Sequence, residues 1–547
     1  MKEVVSFFKK EGYFVTNDFI ENIPRNFNCE DFLKLLKKRV MRNEEVLVLN
    51  KDILNAVFEN KKSIDLNWNE FDNSKALMEK GKDGEWYNTF LELLSLDEKK
   101  ASKILEDVKK EEGVVIEEEE NGEDSSVIVL KSFKEKAKKR SVEDFVGHFR
   151  KRFEAISGIL RGRQELKEVL SLNRVRGKGD NERVAVIGIV VEKKITRNDN
   201  VLLKVEDLSG DINVLINKNK TELYNDAKDI CDDEIVGFVG IKNGDFIFVN
   251  NLIFPEVPLS MGVKKCDNEV YCGFISDLHV GNKQFLKNEF EKFLKWLSGG
   301  NGNDEQKKIA NKLKYLFITG DLVDGVGIYP GQEKDCDIND IYRQYDYFTE
   351  LVKRIPKNIK IIICPGNHDA SRLTEPQPVL EKKYCKELFE MDNVFMVSNP
   401  SFVNIHSSVN FSGFDVLAYH GASFNYYIDN VESIRLGGGY KRADLVMQYL
   451  VRKRHLAPTH ISTSYIPDVE KDNLVIDKVP DFFVAGHIHR LSVSNYKSVS
   501  LINASCWIGQ TDFQEKVGLV PQPGKVVITN LQTREMKVLS FVEDGSK

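Results

Sequence analysis

The chain lacks any apolar run long enough to cross a membrane; its longest, such as Val184–Val191, are strand-length. Its first residues, MKEVVSFFKKEGYF, set lysines inside the only early apolar cluster, so they do not read as a secretory signal. No Cys-x-x-Cys pair occurs among the eight cysteines, which excludes a zinc ribbon within this chain and predicts scattered, reduced thiols. An excess of positive charge is also missing. With 79 Lys and Arg against 85 Asp and Glu the net charge is −6, which excludes a chain that coats a polyanion by bulk electrostatics. Such a ligand must be met by locally focused positive groups, by metal ions or by a basic partner. These absences predict an intracellular globular protein. At 547 residues it exceeds what one core can hold, so several domains are expected.

Residues 1–110 predict a helical region: Phe32, Leu33, Leu35, Leu36 and Val40 recur at helical spacing. So do Phe90, Leu91, Leu93 and Leu94, then Ile104, Leu105 and Val108. Residues 111–145 change from acidic (EEGVVIEEEENGEDSS) to basic (KSFKEKAKKR) with little apolar content, as in a charged, flexible linker. Over 146–260 a helix precedes about five short β-rich runs, separated by Asn198-Asp199, Ser209-Gly210-Asp211 and Asn243-Gly244-Asp245. That density of strands suits a small closed barrel, and an OB-fold is expected. Its few aromatics, Phe238, Phe246 and Phe248, read as core rather than as a stacking platform for single strands. From 261 to 547 strands and helices alternate. The fold class is therefore α+β and multidomain, ending in an α/β domain.

In that last region each strongly apolar run leads directly into polar residues. Val270–Ile275 precedes Asp277 and His279, and Tyr315–Thr319 precedes Gly320-Asp321. Ile359–Cys364 precedes Gly366-Asn367-His368-Asp369. Phe414–Tyr419 precedes His420-Gly421, and Phe482–Ala485 precedes Gly486-His487-Ile488-His489. Ligand sites in α/β sheets gather at the carboxyl ends of strands, so five segments deliver Asp, Asn and His to one rim. Two divalent ions about 3.5–4 Å apart need a bridging anion, imidazole and carboxylate ligands, and open positions for substrate. Only nine histidines exist, and five of them fall in these blocks. One Asp-x-His is commonplace; five blocks in order, each at a strand end, are not. His148, His406, His455 and His460 have no such context and are expected on the surface or in the core.

The order Asp-x-His, Gly-Asp, Gly-Asn-His-Asp, His-Gly, Gly-His-x-His resembles the calcineurin-like metallophosphoesterase superfamily over about residues 268–510. The resemblance implies that Asp277, His279 and His489 hold one ion and that Asn367, His420 and His487 hold the other, with Asp321 as the bridge. It implies that His368 is a catalytic histidine outside the ligand set and Asp369 its orienting carboxylate. Imidazole-rich octahedral sites favour Mn²⁺ over Mg²⁺, with zinc or iron also able to occupy them. GNHDASRLTEPQP (366–378), RKRHLAPTH (452–460) and VPDFFVAGHIHR (479–490) are similar to the small subunits of archaeal family D DNA polymerases. The eukaryotic B subunits related to that family have lost these ligands, whereas every position is filled here.

The closer resemblance implies a 3′→5′ exonuclease acting on DNA 3′ ends, single-stranded or mismatched. It further implies a large catalytic polymerase subunit and the sliding clamp as partners, and a cytoplasmic, nucleoid-associated location with no membrane. Arg372, Lys441 and Arg442 are candidate phosphate contacts, although solvated surface charge explains the last two equally well. Met1–Phe8 has the spacing of a clamp-binding peptide but lacks its glutamine, and an amphipathic helix accounts for it equally. Two other readings stay open: a general phosphatase or cyclic-nucleotide phosphodiesterase, and a non-catalytic polymerase scaffold. The barrel and linkers weigh against the first, and the complete ligand set against the second.

Overall fold

The computed structural model describes residues 126–134, 139–516 and 518–542, together with positions 4, 7, 8, 14, 15, 19, 20, 23, 27–39, 48 and 49. Two compact units divide the chain at Glu117/Glu118. In the first, Phe14–Val15 (β1) pairs in parallel with Val48–Leu49 (β2), and Cys29–Arg39 forms a helix. Asn28 Oδ1 accepts from the amides of Glu30 and Asp31, so the helix starts on an Asn cap. Phe8, Phe19 and Phe32 form a core of edge-on rings. Phe8 is fully buried there, so the aromatic pair that a clamp-binding peptide would present is used in this unit's own packing. Val40 and the residues from Phe90 to Val108 lie outside the described residues, as do 111–125 and 135–138 of the charged stretch.

The second unit starts with a departure from the linker reading. Val127–Ser132 (β3) is a strand, antiparallel to Ser401–Ile405 at the edge of a sheet. Val127 and Val129 pack on the core between two sheets, so this short apolar run gains both a ladder and a buried face. The helix Val142–Arg161 also begins inside the stretch read as linker. Its entry is fixed by Asp144 Oδ2, which accepts from the Ser141 amide at 2.7 Å.

Five strands then close into a barrel in the order β4-β5-β6-β8-β7: Arg183–Ile195, Val201–Asp207, Gly210–Ile216, Phe246–Ile253 and Ile235–Asn243. Phe238 fills the barrel core, whereas Phe248 is exposed and lies beside Phe246 on the surface. The core expectation therefore fails for Phe248, because β8 turns that position outward. Asp226 takes both guanidinium arms of Arg452, and Glu234 pairs with buried Lys453, which joins the barrel to the domain that follows.

That domain stacks two six-stranded sheets. One has the order β12-β11-β10-β9-β18-β19: Val394–Met396, Lys360–Cys364, Leu313–Thr319, Tyr271–Ile275, Lys525–Asn530 and Met536–Ser540. The other has the order β16-β17-β15-β14-β13-β3, where β13 is Ser401–Ile405, β14 Phe414–Ala418, β15 Phe482–Ala485, β16 Ser492–Tyr496 and β17 Val499–Asn503. Phe274, Phe317 and Ile362 of one sheet face Val416, Phe482 and Ile502 of the other across a shared core. Outside them, the helices Lys287–Leu297 and Ile341–Val352 cover the first sheet, and Phe424–Asn430 and Ala443–Lys453 cover the second. Both faces of each sheet are thus buried, which is why the central strands read as continuous apolar runs. In register, Ile318 of β10 faces Ile275 of β9, and Thr319 faces Cys364 of β11. Ala418 of β14 faces Val484 of β15. The carboxyl ends of these five strands therefore open on one edge of the sandwich, shared by both sheets rather than belonging to one.

Candidate metal centre

At that edge the backbone bends abruptly. Asp277, His279, Asp321, His487 and His489 all have φ between 49° and 69°, a left-handed conformation that L-residues avoid. Each costs about 1–3 kcal/mol and persists where the surroundings over-determine it. Here the determinants are visible. The amides of Asp277 and His279 donate to the carbonyls of Gly320 and Asp321, and the His487 amide donates to the Asp277 carboxylate. Glycines make room: a Cβ on Gly366 would meet Asp321 Oδ1, one on Gly320 would meet His420 Nδ1, and one on Gly486 would meet Ser276 Oγ.

The Asp321 carboxylate stands between two sets of donors. Its Oδ2 is 3.7 Å from His279 Nε2 on one side and 3.3 Å from His420 Nε2 on the other. On the first side, His279 Nε2 and His489 Nε2 face each other at 3.1 Å, and Asp277 Oδ1 is 3.4 Å from His489 Nε2. On the second, Asn367 Oδ1 lies 2.9 Å from both His420 Nε2 and His487 Nδ1. Asp277, His279, Asp321 and His489 form one group whose ligand atoms lie within 4.8 Å of one another; Asp321, His420 and His487 form a second. Imidazole lone pairs and carboxylates that converge on two points and share one carboxylate fit two divalent cations. No cysteine belongs to any such group among the described residues.

The outward nitrogen of each ligand-type histidine is also held, which fixes ring orientation. His279 Nδ1 meets Asp324 Oδ1 at 3.1 Å, and His420 Nδ1 donates to the Thr319 carbonyl. His487 Nε2 meets the Asn425 amide, and His489 Nδ1 the Gln514 amide. Burial, reinforced by the charge of His420, pushes His487 down to about 3. Burial alone would raise Asp321, but the neighbouring imidazoles, His420 first, hold it well below the usual carboxylate range.

His368 lines the cleft above this floor, and its Nδ1 donates to the Asp324 carbonyl at 2.7 Å, leaving Nε2 for the cleft. Asp369 does not orient it. Its carboxylate accepts from the Gly366 and Leu322 amides and the Tyr345 hydroxyl, so it braces the loop from behind. Burial and the charge of Asp321 raise it to about 7. Asp324 is the residue that sequence reading missed; its signal is its place three positions after Asp321 in Gly-Asp-Leu-Val-Asp. Arg372 turns inward, donating to the Thr374 and Pro376 carbonyls, so it does not serve as a free phosphate contact. Lys441 and Arg442 are exposed and follow Tyr440 of the cleft wall, but Arg442 is held by both oxygens of Asp444. His148, His406 and His455 are buried away from the cleft, and His460 pairs with Asp233.

The cleft over the two groups encloses about 520 Å³. Among the described residues no helix is long and apolar enough to cross a membrane. The family model for calcineurin-like phosphoesterases matches residues 272–491, which span every ligand-type residue above. The chain is 37% identical over 400 residues to the DNA polymerase II small subunit of Methanothermobacter thermautotrophicus, covering 73% of this chain and 80% of that protein. It is 39% identical over 409 residues to the DNA polymerase II small subunit of Archaeoglobus fulgidus, covering 74% and 79%. It is 40% identical over 395 residues to that of Methanocaldococcus jannaschii, covering 72% and 64%.

Proposed function

Because this chain belongs to the family of archaeal DNA polymerase II small subunits and carries a calcineurin-like phosphoesterase domain, we propose that it is the two-metal 3′→5′ exonuclease of that polymerase, hydrolysing terminal DNA phosphodiesters for proofreading. One observation carries the reading: the Asp321 carboxylate stands between His279 and His420, the placement a bridging ligand requires. A scaffold without catalysis has no use for five left-handed residues and four oriented imidazoles around a shared carboxylate.

Asp277, His279 and His489 would hold one ion and Asn367, His420 and His487 the other, with Asp321 shared. Bound there, a pair of divalent ions supplies an activated water and offsets charge on the phosphate oxygens. We favour Mn²⁺, because four imidazoles and an amide suit it better than Mg²⁺, with zinc or iron as competitors. His368, with Nδ1 donating to the Asp324 carbonyl and Nε2 left for the cleft, would deliver a proton to the departing 3′ oxygen. The barrel is read as an OB-fold whose part is packing and subunit contact. The large polymerase subunit, DNA and the sliding clamp are the proposed partners, in the cytoplasm.

The test is digestion of a 3′-labelled primer, paired or ending in a mismatch, with and without Mn²⁺. Metal-dependent release of 5′-mononucleotides, faster from the mismatch, is expected. Hydrolysis of a phosphomonoester or cyclic nucleotide with intact primer would replace this reading with a general phosphatase.

A further inference from the structure

Apart from its metal-binding floor, the cleft is built in a way the proposed chemistry alone does not require. No lysine or arginine lines it among the described residues. Its walls come from three separate segments that present Tyr329 and Pro330, then Tyr440, then Ile508 and Leu519. The Tyr329 hydroxyl is committed elsewhere, donating to Asp335 Oδ2 at 2.9 Å. Both rings line the cleft, and that of Tyr440 is steadied by packing against the core behind it. The chain beside each wall carries exposed aliphatic side chains, with Val326, Leu436 and Val520 each at least half exposed.

A phosphate-reading groove would place cations along its walls. This cleft places none there and offers flat rings and aliphatic edges instead, the surfaces on which unpaired bases stack. A volume of about 520 Å³ lies within the range of small-molecule pockets, about 300–1,000 Å³, which suits one or two nucleotides and not a paired end. Resting on the exonuclease reading, we infer that Tyr440 and Tyr329 form a base-stacking subsite that captures the frayed terminal nucleotides of single-stranded DNA through their bases, with little electrostatic contribution from the protein. This subsite also accounts for how a chain of net charge −6 takes a polyanion into an acidic cleft.

The test is binding by the full chain in EDTA, with two short oligothymidylates that share length and phosphate number. One has bases throughout, and the other ends in abasic residues. The abasic-ended strand is expected to bind about tenfold more weakly or worse. Affinity for the normal strand should fall with salt no more steeply than one or two phosphate contacts allow, a log–log slope of about −1. Tyr440→Ala should erase the difference between the strands and Tyr440→Phe should keep it. Tyr329→Leu provides a second variant, on a separate segment of the wall. Equal affinity of the two strands in the wild-type chain, or a steep salt slope, overturns the subsite. Failure of the exonuclease reading is seen separately, as intact primer in Mn²⁺. Trimming of base-bearing and abasic ends at equal rates would sink the subsite and leave the exonuclease standing.

Discussion

Arg372 lays its guanidinium over the ring of Phe133, 5.1 Å from the centroid, and so fastens the loop carrying Asn367 and His368 to the strand that leads into the domain. The same join continues through Ser398, whose hydroxyl accepts from the Phe133 amide and whose own amide donates to Ser132 Oγ. A cation over an aromatic face with its N–H groups satisfied by carbonyls is a well-anchored arrangement.

Truncation should therefore be sharply position-dependent. Removing residues 1–125 keeps β3 and Phe133 and should leave two ions per chain. Removal through residue 140 deletes the strap and should lower metal content and thermal stability together. Metal analysis of the two truncated proteins checks this, and equal content in both would show that the strap is dispensable.

Asp321→Asn should do the most harm of any single ligand change, because one carboxylate serves both groups. Both ions should be weakened. His279→Ala should mainly affect one. If Asp321→Asn retains both ions as the wild type does, Asp321 is not the bridge.

His368→Ala should separate chemistry from structure. The ring stands with His279 and Asp324 in a third cluster, apart from the two groups that share Asp321, so on its assignment as the acid both ions should stay and the rate should fall about 10²–10⁴-fold. The loss should shrink on a nitrophenyl phosphodiester, whose leaving group needs less protonation. Asp324→Ala should behave differently. It frees His279 Nδ1, which should weaken the ion beside His279 by about 10–100-fold. Identical behaviour of the two variants in metal titrations would mean that the second role has been misassigned.

A pH effect on stability should come from outside the metal centre. His455 Nδ1 accepts from the Ala457 amide and Nε2 meets Asp472 Oδ2 at 2.8 Å, so the neutral ring is fully satisfied. Burial, then the nearby positive charge of Arg152, depress it to about 4. The unfolded chain takes up this proton near pH 6.5 and the folded one does not, so stability falls as pH drops from about 6.5 to 4. The full shift is worth on the order of 3 kcal/mol. Melting curves between pH 7 and 5 should show a smaller drop for His455→Gln than for the wild type.

The residues of the candidate metal centre were readable because each is local. A strand that ends in glycine and a polar residue carries its ligand within a few positions of a buried apolar run, and the run marks the end. The closed barrel was readable for the same reason, from strand spacing and turn residues. What lay beyond the sequence depends on which distant segments touch. Asp369 follows His368 directly, yet its side chain points back into the loop, and the neighbour of His368 comes from a different strand end, at Asp324. Val127–Ser132 looked like tether because its flanks are charged, and only the free edge of β13 made it a strand. The walls of the cleft come from segments around 329, 440 and 508–519, with no shared motif. Sequence alone determined which residues gather at the candidate metal centre, because strand ends and glycines act over a few positions. Tertiary structure decided what orients them and what surrounds the substrate, because those contacts join residues far apart in the chain, as Phe133 and Ser398 are, 265 positions apart.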